Sequence, residues 1–253
     1  MEYPFDALHA GIESQILNLP AGIPDSQAVR QAKASPDSVE KFLTLGKALS
    51  RQLRYREAIA AYTEGLKAEP ENLSLLRLRA GRYLTTLQSD FAITDFEKCL
   101  SLGAEKLDCL YRIGLAHYYA GRYLRAMETL ESCLPLCDDE MGIAVLYWHT
   151  LSAARTEKAP TLLKYDRPDM AVGHHTAYEK AMRVWSGTTP LAAALEMLER
   201  EEDDLEYGIT LYGLLWHPDC AERERLSQSL LRRDGFWPSF AYLAAWKDWA
   251  GAQ

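Results

Sequence analysis

The chain has 253 residues, of which 48% are hydrophobic and 25% are charged, and its formal net charge is -8. A chain of this length can bury a substantial core as one large domain or two ordinary ones. Because nucleic-acid binding depends on clustered lysine and arginine side chains that neutralise phosphates, the acidic balance argues against a nucleic-acid partner.

The apolar runs and the cysteines indicate a reducing, non-membrane environment. The N-terminal residues lack a basic stretch followed by an apolar one, so no secretory signal is predicted. No run of about 18 or more apolar residues occurs, so no membrane span is predicted. The five cysteines are odd in number and irregularly spaced, which disfavours a disulfide framework. We therefore expect a cytoplasmic protein that does not associate with membranes.

Residues 1–38 are predicted to form a short helix followed by a loop. The stretch ALHAGIESQIL is amphipathic, and the residues after it include Pro20, Gly22, Pro24 and Pro36, which break regular structure. The leucine and isoleucine side chains of this stretch can cover the first helix of the region that follows, because the end of a helical stack needs a cap.

Residues 39–140 contain three copies of a 34-residue unit, at 39–72, 73–106 and 107–140. Each unit is predicted to form two amphipathic helices, because its apolar residues recur at three- and four-residue steps. Small residues at equivalent positions mark the points where two helices cross closely. The equivalent positions are Phe42, Leu76 and Leu110; Gly46, Ala80 and Gly114; Ala58, Ala92 and Ala126; Tyr62, Phe96 and Leu130; and Gly65, Cys99 and Cys133.

The first unit also carries an extended pattern of large, small and aromatic residues, ending in proline. It reads Phe42, Leu45, Gly46, Leu49, Ala58, Tyr62 and Pro70. This pattern resembles that of the tetratricopeptide repeat (TPR) family. The second unit departs from it at Arg79 and Ala104, and the third has His117 in an aromatic position. The resemblance implies an all-α, right-handed solenoid of antiparallel helix pairs.

Residues 141–253 are predicted to be a degenerate TPR-like region of further helices. The expected helices cover GIAVLYWHTLSAARTEK and then roughly 175–185, 190–201, 205–216, 221–232 and 238–249. In the last of these, Tyr242, Trp246 and Trp249 recur at four- and three-residue steps on one face. We interpret that face as the inner side of a capping helix, with a homodimer interface as the alternative.

Two groups of residues are weighed as metal sites. Cys133 and Cys137 lie four residues apart, but Cys133 occupies a small-residue position of the repeat, so a packing role is expected. His174 and His175 are adjacent in a predicted loop, and neighbouring histidines usually point apart rather than converge on a metal. A metal-dependent protein built on this histidine loop is kept as a less favoured alternative.

No catalytic constellation is recognised in the chain. Nothing matches a phosphate-binding glycine loop, a nucleophile elbow or a dinucleotide fingerprint. The acidic run EREEDDLE at 199–206 lacks the glycine and the alternating oxygen ligands of a calcium loop. We expect that run to be a solvated helix end, and we predict a chain without enzymatic activity, metal or cofactor.

The TPR resemblance implies that the first helix of each pair lines a concave groove. On that face, outside the core positions, the candidate partner-binding residues are Lys47, Ser50, Arg51, Arg77, Gly81, Leu84, Tyr111, Leu115, Tyr118, Tyr119, Val145 and His149. Such a groove would be basic at one end and aromatic at the other, which suits an acidic segment with apolar neighbours. The chaperone-tail clamp of the family has a Lys–Asn pair where this chain has Leu43 and Lys47, so that clamp is not predicted.

These observations favour a scaffold or adaptor that binds a peptide or helix of a partner protein. The alternatives are a structural protein that dimerises through the C-terminal aromatic helix, or the metal-dependent protein described above.

Overall fold

The computed structural model describes residues 24–233 and 235–251, and within these ranges the chain is helical and has no strand. The all-α prediction is thereby confirmed for these residues, and none of their helices has the length and apolarity needed to cross a membrane. The helices are α1 (Gln27–Ala34), α2 (Val39–Arg51), α3 (Tyr55–Ala68), α4 (Leu73–Thr85), α5 (Ser89–Ser101), α6 (Lys106–Tyr119), α7 (Tyr123–Cys133), α8 (Asp139–Ala154), α9 (Thr176–Trp185), α10 (Leu191–Leu198), α11 (Asp204–Leu215), α12 (Arg223–Leu231) and α13 (Phe240–Gly251). Short 3-10 helices occur at Leu134–Leu136 and Leu163–Tyr165.

The chain divides into two compact units, with a boundary between Ala116 and His117 inside α6. We call the described residues up to Ala116 the N-terminal unit and those from His117 the C-terminal unit. The change from regular to degenerate repeats at residue 141 stays a prediction about the sequence.

The segment before the repeats differs in part from its prediction. The amphipathic stretch ALHAGIESQIL lies outside the described residues. Helix α1 forms where a loop is predicted: the Ser26 side chain accepts a hydrogen bond from the Val29 amide at its start, and Val29 and Ala32 are buried. Side-chain capping of a free helix N-terminus typically contributes about 1 kcal/mol, and α1 also packs against α2.

Within the N-terminal unit, consecutive helices pack in pairs. Helix α2 contacts α3, and α4 contacts α5. Gly46 lies directly under the ring of Tyr62, and Gly65 lies against Leu75 and Phe42. The predicted small-residue positions are therefore the close crossings of the helices, as the repeat pattern indicates.

Two local signals recur with the repeat period: a side-chain cap before the first helix of the first two repeats, and a left-handed turn after the first helix of all three. Ser38 and Asn72, which are 34 residues apart, cap α2 and α4 by accepting hydrogen bonds from the amides of Lys41 and Leu75 at 3.1 Å. The residues that follow the first helix, Leu53, Leu87 and Gly121, also recur every 34 residues and have φ of 61°, 59° and 72°. An L-residue in this left-handed region costs roughly 1–2 kcal/mol. The turn is thus a property of the repeat rather than of one residue type.

The C-terminal unit is arranged around α8. Every residue of this helix from Gly142 to Ala153 is buried, which explains why its sequence has no polar face. Helices α7 and α9 contact α8, while α11 contacts α9, α12 and α13. The core includes the fully buried rings of Tyr147, Trp148 and Tyr212.

Candidate functional site: a basic face of the N-terminal unit

Lys47 and Arg51 are exposed side chains one helical turn apart on α2. Residues four positions apart are neighbours on a helix surface, so the two positive charges lie side by side. Among the described residues, neither side chain has a carboxylate within ion-pair distance. Both were predicted from the repeat register, and the structure leaves both accessible.

Most other cations of the N-terminal unit are neutralised by a neighbouring carboxylate. The pairs are Lys33–Asp25, Lys41–Asp37, Arg54–Asp25, Arg54–Glu57, Lys67–Glu64, Arg77–Asp108, Arg79–Asp95, Lys98–Glu71 and Arg112–Asp108. Lys47 and Arg51 are two neighbouring cations without such a carboxylate among the described residues, and Arg30, Arg82 and Lys106 of the same unit also lack one.

Arg82 on α4 extends the positive charge toward α2. Its guanidinium carbon lies 4.7 Å from the centroid of the Tyr55 ring, a cation–π distance. Burial raises the pKa of the Tyr62 hydroxyl, while its 3.4 Å contact with Ser50 and the charges of Arg82 and Arg51 lower it. Arg51 and Arg82 thus act on the same hydroxyl from two helices. We call Lys47, Arg51 and Arg82 the basic face.

Arg82 was missed by the sequence analysis. The predicted register selects Gly81 and Leu84 on α4, and Arg82 lies between them. Only the tertiary structure reveals Arg82 as a candidate, because its contact with Tyr55 joins residues that lie 27 positions apart.

The other predicted positions of the N-terminal unit have different surroundings. Arg77 is exposed, but its Nε donates to Asp108 Oδ2 at 2.8 Å, so its charge is compensated. Gly81 is itself buried, although an added Cβ there would meet no atom within 4 Å. Leu84, Tyr111 and Leu115 are buried. These three side chains therefore do not face solvent, contrary to the prediction that they line an open groove.

In the C-terminal unit, Tyr118 and Tyr119 are also buried, contrary to their predicted place in an open groove. The Tyr118 hydroxyl lies 2.7 Å from that of Tyr212 on α11. The Tyr119 hydroxyl donates to the Phe240 carbonyl of α13 at 2.9 Å. Helices far along the sequence cover these rings, so they serve as packing and anchoring residues.

Val145 and His149 are also buried, contrary to their predicted place in the groove, because α8 is enclosed on all sides. His149 Nε2 lies 3.2 Å from Glu131 Oε1 and 3.4 Å from Thr161 Oγ1. Its side chain has no solvent exposure, so it is not a groove residue.

The burial of His149 gives the C-terminal unit an expected pH dependence. Burial lowers the pKa of His149, against a smaller raising effect of Glu131. The unfolded chain, with an ordinary histidine pKa of about 6.5, then binds more protons than the folded chain as the pH falls below that value. We expect the stability of the unit to fall from about pH 6.5 downward, by up to about 1.4 kcal/mol per pH unit from this group, and to level off below the folded pKa.

Urea unfolding followed by tryptophan fluorescence checks this expectation, because all six tryptophans lie at residue 148 or later. The slope of stability against pH should shrink in His149→Gln and persist in the matched control His174→Gln, whose side chain is exposed. An identical slope in wild type and His149→Gln would show that His149 is not its source.

The aromatic stripe of α13 faces inward. Tyr242 and Trp246 are buried, Trp249 is half-buried, and the Tyr242 hydroxyl donates to the Leu231 carbonyl at 2.9 Å. The stripe is the inner side of a capping helix. The alternative of a dimer interface is not supported at Tyr242 and Trp246, because their own chain covers both rings.

The helix α13 is also held by a partly buried chain of polar side chains. Arg155 donates to Asp248 Oδ1 at 2.7 Å, and Asp248 Oδ2 accepts from the Tyr212 hydroxyl at 2.8 Å, which contacts Tyr118. Burial raises the pKa of Asp248 more than the Arg155 charge and hydrogen bond lower it. Both carboxylate oxygens of Asp248 therefore have partners.

The two candidate metal groups are explained by other contacts. The His174 amide donates to Glu140 Oε1 at 2.9 Å, and His175 Nδ1 contacts the Glu140 carbonyl. Cys133 is buried, and its thiol contacts the Thr129 carbonyl. Across residues 24–233 and 235–251, no cluster of three or more His, Cys, Asp or Glu side chains is placed to hold a metal ion.

The acidic run at 199–206 belongs to a helix junction, as expected. The Asp203 side chain caps α11 by accepting from the amides of Leu205 and Glu206 at 2.8 and 2.9 Å. Lys180 bridges Glu201 and Glu206. These carboxylates thus have structural partners.

Comparison with known proteins agrees with the repeat pattern. No family model matches the chain. The chain is similar to small glutamine-rich tetratricopeptide repeat-containing protein 2 of Saccharomyces cerevisiae, with 26% identity over 147 residues that cover 58% of this chain. The match spans 41% of that relative's length.

Two solved structures share the fold. A tetratricopeptide repeat protein from Parabacteroides merdae has a TM-score of 0.54 and 17% identity, over 87% of this chain and 88% of its own. A structure of MamA (AMB-1) has a TM-score of 0.52 and 18% identity, over 72% of this chain and 99% of its own. The predicted solenoid architecture is thereby confirmed. The 34-residue repeat, the paired helices and these similarities show that the chain has the fold of tetratricopeptide repeat proteins.

Proposed function

We propose that the chain is a non-enzymatic protein-interaction scaffold whose basic face binds an acidic segment of a partner protein. The observation that carries this proposal is that Lys47 and Arg51 are exposed and form no ion pair with any described residue, in a chain with a formal net charge of -8. Keeping two like charges adjacent on one helix is slightly unfavourable. A carboxylate-bearing ligand would remove that repulsion on binding.

The surroundings of the basic face suit an extended or helical peptide. Helices α2 and α4 contact each other, and the charges of Arg51 on α2 and Arg82 on α4 both act on the Tyr62 hydroxyl. The half-buried Ser50 side chain adds a hydroxyl group on the same helix as Lys47 and Arg51. Arginine can bind a carboxylate through two parallel hydrogen bonds, which would orient the peptide as well as attract it.

The aromatic half of the predicted groove does not contribute to this proposal, because Tyr111, Tyr118 and Tyr119 are buried. Recognition then depends mainly on charge, with affinity that should weaken as salt screens the interaction over a Debye length of about 10 Å at 0.1 M ionic strength. The expected partner segment is thus acidic, and its apolar content matters less than the sequence predicts.

A charge-reversal experiment tests the proposal. The probe is a fluorescein-labelled, N-acetylated and C-amidated peptide of alternating Glu and Ala, and the measurement is fluorescence anisotropy at low and high salt. We expect Lys47→Glu/Arg51→Glu to weaken binding by about tenfold or more, equivalent to about 1.4 kcal/mol or more. The control Lys67→Glu/Lys98→Glu changes the net charge equally at two ion-paired positions of the same unit and should bind within about twofold of wild type.

Equal weakening in both double variants would show attraction by net charge alone and contradict a defined face. No measurable binding of the acidic peptide by wild type at low salt would also contradict the proposal. Circular dichroism of each variant confirms that the helices persist.

A further inference from the structure

The C-terminal unit contains a second candidate binding site, separate in its residues from the basic face. A cavity of about 280 Å³ lies where the end of α6 and the start of α7 meet α13. Its lining includes Tyr118, Tyr123, Arg155, Ala244, Lys247 and Asp248. This volume falls just below the roughly 300–1,000 Å³ of pockets for drug-sized ligands, so it suits a group of side-chain size.

Arg155 is held rigidly at this cavity. Its guanidinium carbon lies 3.8 Å from the centroid of the Trp216 ring and 4.5 Å from that of Tyr123. Its NH1 donates to Asp248 at 2.7 Å, and the described residues offer it no other hydrogen bond. A guanidinium has five N–H donors, so most of them remain for a ligand. Because rings and carboxylate already fix the group, binding would cost little side-chain entropy.

The charge balance of the cavity is positive. Lys247 is half-buried and has no carboxylate within ion-pair distance among the described residues. The single lining carboxylate, Asp248, already accepts from Arg155 and from the Tyr212 hydroxyl. The guanidinium carbon of Arg223 lies 4.4 Å from the centroid of the Trp216 ring. Arg155 contacts the same ring. Two lining cations thus face one satisfied anion.

We propose that this cavity binds the carboxylate of a peptide, carried either by an acidic side chain or by a free C-terminus. Arg155 and Lys247 hold the carboxylate, and Ala244 with the Tyr123 ring contacts the adjoining apolar group. The proposal goes beyond the function proposed above, because every residue involved belongs to the C-terminal unit.

Three short peptides test the proposal on the full chain: Ac-Ala-Ala-Leu with a free carboxylate, Ac-Ala-Glu-Leu-amide and the neutral Ac-Ala-Gln-Leu-amide. Tryptophan fluorescence reports on this unit, since all six tryptophans lie in it, and Trp216 contacts Arg155. We expect a saturable change with at least one acidic peptide and none with the neutral one. The acidic peptide that binds identifies the source of the carboxylate.

Variants locate the site. Lys247→Gln should weaken binding several-fold without disturbing the Arg155–Asp248 pair, and Arg155→Gln should abolish it. The control Lys158→Gln, at an exposed position outside the cavity, should bind like wild type, as should Lys47→Glu/Arg51→Glu. If Arg155→Gln does not fold, Lys247→Gln decides the matter alone.

Four results would overturn the proposal, and three of them come from the peptides and the glutamine variants. They are saturation by the neutral peptide, absence of saturation by both acidic peptides, and equal weakening by Lys247→Gln and Lys158→Gln. Loss of the fluorescence change in Lys47→Glu/Arg51→Glu would likewise overturn it, by assigning the binding to the basic face.

Discussion

Replacing Gly46 with alanine is expected to destabilise the N-terminal unit by about 3 kcal/mol, near the upper end of typical overpacking costs. An added Cβ would lie 2.1 Å from Tyr62 Cε1 and 2.6 Å from both Cδ1 and Cζ. The ring is 1% exposed and its hydroxyl contacts Ser50, so it has little room to move. Alanine gains about 1 kcal/mol of helix propensity over glycine, which does not offset the clash.

The measurement is urea unfolding followed by circular dichroism at 222 nm, because the N-terminal unit has no tryptophan. Gly81→Ala is the matched control: an added Cβ there meets no atom within 4 Å, so the same change should leave stability unchanged or raise it by up to about 1 kcal/mol. In a double-mutant cycle, Tyr62→Ala should reduce the cost of Gly46→Ala. Equal effects of the two glycine substitutions would refute close packing at Gly46.

Replacing Trp246 with alanine is expected to destabilise the C-terminal unit by about 3–5 kcal/mol without changing the molecular mass in solution. The Trp246 side chain is 1% exposed, so its removal leaves a large cavity under α13. If α13 is a capping helix, the substitution lowers the free energy of unfolding of the C-terminal unit. If α13 is an oligomer interface, the substitution instead lowers the molecular mass in solution. Urea unfolding by fluorescence measures the first effect, and light scattering after size exclusion measures the second.

Phe236 provides the control for Trp246. It is a large aromatic residue close to α13, but it is 51% exposed, so Phe236→Ala should change stability by no more than about 0.5 kcal/mol. A wild-type dimer that becomes monomeric in Trp246→Ala would contradict the buried arrangement and restore the interface interpretation.

The repeat period carries much of the fold information. The 34-residue spacing predicts the helix pairs and the close crossings at Gly46 and Gly65, which the structure places against Tyr62 and Leu75. The same spacing, applied to polar residues, reveals the caps Ser38 and Asn72. Such features depend on contacts within one unit or between neighbours, and local sequence determines them.

The candidate site is less accessible to sequence reasoning. Register alone selects Lys47 and Arg51, which are exposed, and equally selects Leu84 and Leu115, which are buried. It also cannot show that Arg77 is neutralised by Asp108, which lies 31 residues away. A helix face has the same periodicity whether a later element covers it or solvent does.

The sequence by itself determined the all-α class, the helix pairs and the small crossing residues, because these follow from periodicity and residue size within one or two helices. Only the tertiary structure decided which surfaces remain open for a ligand. It buries Tyr118 and Tyr119 beneath contacts with α11 and α13, more than 90 residues later in the chain. Exposure and charge compensation are set by such distant neighbours, and no local pattern encodes them.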